Sequence, residues 1–177
     1  MSDKSHRGNA SQFFIAGELC RRGYAAVVTL GNTPNVDILV SNKDGTRFAH
    51  VQVKTFVPEG KGKITCSVGM KATKEFGPSF FWVLGGIPAP GSAKPFVYYV
   101  IPADIMAKNV NEAHELWLKT PGVNGRPHQD NTVRTVHIPP HTDFAGWSIA
   151  EYEDKWELIT DHLDQPPDEK DKSPATD

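Results

Sequence analysis

Between residues 36 and 56 the sequence runs VDILV, SNKDGTR and FAHVQVKTF: two strand-length segments joined through Asp44-Gly45. No other segment limits the available folds as sharply. An Asp-Gly pair tolerates the positive φ of a tight reversal, so the spacing predicts a hairpin. Side chains alternate across a strand, which sends His50, Gln52 and Lys54 one way and Val51, Val53 and Thr55 the other. A polar row then lies opposite an apolar one. Folding VDILV back on the second strand brings Asp37 toward the Gln52 to Lys54 end, so a carboxylate, an amide and an amine share one small area.

The flanking sequence supplies a layered frame. Asn9 to Arg22 reads as a helix, with Asn9 as N-cap, Gln12 in capping-box spacing and Gly23 as the stop; Ile15, Ala16, Leu19 and Cys20 form its apolar stripe. YAAVVTL (24–30) predicts a strand and GNTPN a turn. After the hairpin come a short strand ITCSV, a helical piece MKATKEFG, and the strands FFWVLGG and FVYYVI. A helix starts after Pro102, and a possible strand, TVRTVHI, is followed by a closing amphipathic helix SIAEYEDKWELITDHL with Trp156 inward. Alternating strands and helices give an α/β domain. At 177 residues, with 38% hydrophobic and 23% charged, the chain holds one domain over 1–164 and a disordered acidic tail over 165–177. Neither a spanning segment nor a signal peptide is visible, which predicts a cytoplasmic protein with no membrane partner. Cys20 and Cys66 lack a CxxC partner and read as buried thiols.

Charge is divided along the chain. Residues 151–177 carry ten acids and three bases, net -7, which leaves sixteen bases and eleven acids, net +5, in the first 150. A mildly basic body suits a polyanionic partner.

The Asp37 area has what metal-assisted phosphodiester hydrolysis needs: oxygen ligands for a hard cation and a nearby amine. Asp37 supplies charge, Gln52 a side-chain carbonyl and Val53 a backbone carbonyl. Lys54 would orient or deprotonate the attacking water and stabilise charge on the phosphate. NVDILV, a short hairpin and HVQVKT together resemble the PD-(D/E)XK nuclease superfamily in its QxK variant. GNASQFFIAGELCRRGYAAVV is similar to the first helix and strand of its Holliday-junction resolvase branch. The resemblance covers residues 8 to 56, and the FFWVL and FVYYVIP strands more loosely. It implies a three-layer restriction-endonuclease-like fold with a central mixed sheet flanked by helices. It also implies a metal-dependent DNA endonuclease using Mg2+ or Mn2+, and a homodimer.

The sequence departs from that family at two places. Gln52 occupies a position usually acidic, and the acid often contributed by the first helix falls at Gln12. Glu18 is then the remaining carboxylate on that helix, about 120° around from Gln12. It either reaches the metal beside Asp37 and Gln52 or flanks the core. With the carboxylate count this low, a catalytically inactive nuclease-fold protein that binds nucleic acid or a protein partner is the alternative. His50, Lys61, Lys63, Lys71 and Lys74 are candidate nucleic-acid contacts with Gln12, set against the reading that they form solvated surface. GKGKIT lacks phosphate-loop spacing. His137 and His141 flank a Pro-Pro pair that forbids a helical zinc site. Phe80, Phe81, Trp82, Tyr98 and Tyr99 read as core.

Overall fold

The computed structural model describes residues 4–29 and 34–166. The GNTPN turn therefore lies mostly outside the described residues, as does the tail beyond 166. In chain order the main elements are α1 (Lys4–Arg21), β1 (Ala25–Val28), β2 (Ile38–Ser41), β3 (Phe48–Phe56), β4 (Thr65–Ser67), β5 (Phe80–Gly86), β6 (Val97–Pro102), α2 (Ala103–Lys119), β7 (Thr135–His137) and α3 (Glu157–Asp164).

Five strands form one sheet in the order β1-β2-β3-β5-β6, and β4 pairs with β7 in a separate two-stranded sheet. Only the β3 to β5 pairing is parallel; the others are antiparallel. The sheet is thus mixed, as expected, with helices on both faces. On one face α1 and α3 bury Ile15, Leu19, Trp156, Ile159 and Leu163 against Val51, Val53, Phe81 and Val83. On the other, α2 and the β4–β7 pair bury Met106, Val110, Cys66 and Val136 against Phe80, Trp82 and Leu84. The period of two in β3 and β5 distributes these residues between the faces.

The end of α1 is specified locally. Gly23 takes φ 97°, its N–H donates to the Cys20 carbonyl at 2.9 Å, and the Tyr24 N–H donates to Leu19 at 3.2 Å. These two bonds close a Schellman motif. The start differs from expectation: α1 begins at Lys4, so Asn9 lies inside the helix rather than capping it. Cys20 is exposed, because the stripe that packs on the sheet is Ile15, Ala16 and Leu19. Cys66 is buried, and burial pushes its thiol up to about 12.

The helix expected over SIAEYEDKWELITDHL is shorter. A 3-10 turn covers Ala150–Tyr152 and α3 starts only at Glu157. Between them Glu153 bridges to Tyr99, and the Asp154 N–H donates to the Tyr98 carbonyl at 2.8 Å. The exposed edge of β6 captures backbone groups that a continuous helix would have kept. MKATKEFG likewise contributes only a 3-10 turn, Met70–Thr73.

Close approach explains two glycines in β5. A Cβ on Gly86 would stand 2.6 Å from the Phe56 ring, and one on Gly85 would collide with the Ser11 hydroxyl. Phe56 is itself 5% exposed and has little room to retreat. Gly86→Ala should therefore lower stability by about 1–3 kcal/mol, the usual cost of overpacking, measured by urea unfolding; an unchanged midpoint would refute this packing.

Candidate active site

Asp37 immediately precedes β2, where the register pairs Ile38 with Val51 and the Asp37 N–H donates to the Val51 carbonyl at 2.9 Å. Its side chain therefore comes up beside Gln52. One carboxylate oxygen, Oδ2, accepts from the Gln52 side-chain amide and from the Val53 backbone N–H at 2.7 Å. Gln52 is 6% exposed, so this pairing satisfies a buried amide. A carboxylate only accepts, which requires the Gln52 NH2 to face Asp37 and turns its carbonyl oxygen the other way.

The N–H and C=O of a strand residue leave on the same edge. Since the Val53 N–H points to Asp37, the Val53 carbonyl also emerges on the β2 side. The Val53 carbonyl and the Asp37 carboxylate, which carries one formal negative charge, thus lie on the same edge of β3, with the Gln52 carbonyl facing away from Asp37. Oxygens are the donors a hard divalent cation takes, and one carboxylate leaves most of its positions to waters or a phosphate.

Lys54 is half-buried at the next position of β3, and its ammonium opposes the burial-driven rise of the Cys66 thiol. Lys54 thus lies on the side of the sheet covered by the β4–β7 pair. His50 is half-buried and shares the Gln52 face by alternation, opposite Leu39 and Phe80 in register. Lys61 and Lys63 are exposed in the connection from β3 to β4, and Lys71 and Lys74 are exposed around the 3-10 turn. Cys66 and Ala72, their neighbours in sequence, pack with Trp82, which puts this lysine-bearing layer over the same side of the sheet as Gln52.

Neither Glu18, the expected ligand on α1, nor Gln12, the candidate nucleic-acid contact there, joins Asp37. Ser11 rests on Gly85, which pairs with Thr55, so the neighbouring Gln12 is near the Lys54 end of the sheet. However, α1 covers the opposite face, and no hydrogen bond among the described residues links Gln12 to Asp37, Gln52 or Lys54. Glu18 is engaged elsewhere: its oxygens accept from Arg21 Nε at 2.7 Å and Arg22 Nε at 2.8 Å. Arg22 stands 5.5 Å over the Trp156 ring. Glu18 also helps raise the Tyr98 hydroxyl, to about 12, after the larger effect of burial. Tyr98 belongs to β6, at the other edge of the sheet from β1 and β2.

The Arg21 bond, followed by Arg22, holds the Glu18 carboxyl below its usual range. A depressed folded-state pKa stabilises the fold above the unfolded value, and that stabilisation is lost as pH falls through the folded one. Glu18→Gln should therefore lower Tm slightly at neutral pH, with the gap to wild type closing on acidification. Metal affinity should be unchanged; a weakened metal titration would put Glu18 back at the site.

Sequence reasoning missed Thr29. Its hydroxyl donates to the Val36 carbonyl at 2.6 Å, and its N–H donates to the Asp37 carbonyl at 2.9 Å, fixing the backbone on either side of the carboxylate. A threonine next to the end of a predicted strand was the only signal. Among the described residues, no group of three or more His, Cys, Asp or Glu is arranged to hold a metal.

A mixed five-stranded sheet lies between helical layers, with Asp37 at the entrance to β2 beside Gln52 of β3. The chain is similar in structure to the bacterial homing endonuclease I-Ssp6803I, with a TM-score of 0.53 and 18% identity over 90% of this chain and 93% of that one. At this identity the likeness concerns the fold. No family model and no curated protein sequence matches the chain. Among the described residues no helix is long and apolar enough to cross a membrane.

Proposed function

We propose that this chain is a DNA endonuclease of the PD-(D/E)XK kind that uses Mg2+ or Mn2+. The observation that carries the reading is Asp37 Oδ2 held by both Gln52 and the Val53 N–H, with Lys54 next along the strand. Asp37, Gln52 and Val53 would hold the cation, which supplies Lewis-acid polarisation of the phosphate. Lys54 orients the attacking water, takes up its proton or offsets charge gathering on the phosphate oxygens. His50 and the exposed Lys61, Lys63, Lys71 and Lys74 contact the nucleic acid from the covering layer, while Gln12 serves from the middle of α1. A homodimer would let two such sites address both strands.

One observation favours a second reading. With Glu18 committed to Arg21 and Arg22, Asp37 is the lone carboxylate of the set, as in a nuclease fold that binds DNA without cutting it. Titration of Mg2+ and Mn2+ by calorimetry, with a parallel plasmid-nicking assay, separates the two readings on wild type, Asp37→Ala and Lys54→Ala. The endonuclease reading expects metal binding lost in Asp37→Ala, retained in Lys54→Ala, and nicking lost in both. Metal-independent DNA binding without nicking supports the second.

A further inference from the structure

Away from Asp37, a cavity of about 300 Å³ opens between α2 and β7, lined by Trp117, Val133, Arg134, His137, Asp143 and Phe144. That volume suits a small ligand. At the cavity, Val133 and Phe144 are 60% and 48% exposed, two apolar groups left facing solvent. Arg134, by contrast, is 6% exposed. Its Nη1 donates to the carbonyls of Asn131 at 2.6 Å and Val133 at 2.9 Å, and Nη2 to Asp130 at 3.4 Å. Its Nε is buried with no hydrogen-bond partner, and leaving such a donor unsatisfied is costly.

The cavity's polar groups are of both kinds. His137 directs Nδ1 at the Thr142 carbonyl, which places the proton on Nδ1 and leaves Nε2 an acceptor in the neutral ring. One oxygen of Asp143 accepts from the backbone N–H groups of Ala145 and Trp147, both at 2.9 Å, and the carboxylate can only accept. Arg134 Nε is a donor. A phosphate offers acceptors alone and would meet the negative charge of Asp143, whereas the Arg134 charge is already opposed by Asp130. The match is a flat neutral ring whose edge carries donors and acceptors together. Trp117 is held as a rigid wall, stacked on His128 at 4.0 Å between ring centroids.

We propose that this cavity receives a nucleobase, taken from the nucleic acid as an unpaired base; that source rests on the function proposed above. Phe144 and Val133 supply apolar contact with the ring, and Arg134, His137 and Asp143 read its edge, in the manner of proteins that draw a base out of the stack.

The test uses the full chain and observes the Trp117 indole N–H by NMR, assigned with Trp117→Phe, during titration with adenosine, cytidine, thymidine or inorganic phosphate. A saturable shift with at least one nucleoside and none with phosphate is expected. Phe144→Ala should weaken it roughly fivefold or more, the scale of one base-aromatic contact. Val133→Trp, made at a position 60% exposed and checked for an unchanged unfolding midpoint, should abolish the shift by filling the cavity. In EDTA, a duplex with one bulged 2-aminopurine should be quenched by wild type and Asp37→Ala alike, but not by Val133→Trp. No nucleoside shift, or an equal one with phosphate, would overturn the base pocket. Loss of nicking evidence with the nucleoside shift intact would overturn only the endonuclease reading.

Discussion

Replacing Asp37 with alanine should reduce phosphodiester cleavage by at least about 10³-fold and lower stability by about 1–3 kcal/mol. Both effects come from the same carboxylate. In the proposed endonuclease a bound cation contributes several kcal/mol of charge stabilisation, and each 1.4 kcal/mol is tenfold in rate, so losing the one charged ligand proposed for it removes about three decades. The stability cost has a different origin. Asp37 Oδ2 accepts from both Gln52 and the Val53 N–H, and the Gln52 side chain is buried. Alanine leaves two donors without an acceptor. Asp37→Asn separates the effects: it keeps an oxygen for those donors but brings no charge to the metal. Cleavage should therefore collapse in both variants, with Tm falling mainly in the alanine one. Cleavage by Asp37→Asn within about tenfold of wild type at equal Mg2+ would sink the metal role.

The largest loss of stability is expected for Trp156→Ala, about 3–5 kcal/mol by comparison with other buried aromatic truncations. Trp156 is 1% exposed and lies just before α3. Its ring centroid stands 5.4 Å from that of Tyr98, and Arg22 lies over it, so one side chain joins α3, the β6 edge and the end of α1. At about 2–4 °C per kcal/mol for a chain of this size, Tm should fall by roughly 10 °C. Cleavage measured well below that Tm should persist, because Asp37 is on the far side of the sheet from β6. A loss below 1 kcal/mol would show that α3 is dispensable.

The hairpin was legible because its determinants are local. Strand β3 falls at Phe48–Phe56 as the alternation predicts, and Asp37 meets Gln52 because a tight turn leaves few registers once one face must be apolar. Strand β5 and helix α2 are equally explicit, one a buried apolar run and the other an amphipathic segment opened by proline. Pairings between distant segments carry no comparable mark. Nothing in TCS or TVH announces that residues 65–67 and 135–137 form a second sheet, and nothing in EYEDKW says that Glu153 and Asp154 bond to β6.

The sequence by itself therefore determined the α/β layering, the hairpin and the meeting of Asp37 with Gln52, since each depends on a period or turn read within about twenty residues. Tertiary structure alone decided the rest. Whether Glu18 turns to a metal or to arginines depends on how α1 is rotated about its axis, and the packing of Ile15, Ala16 and Leu19 on the sheet sets that rotation. The same packing leaves Cys20 in solvent, and the open edge of β6 shortens the last helix. Burial and edge pairing act between segments far apart in the chain, so they take effect only once those segments have met.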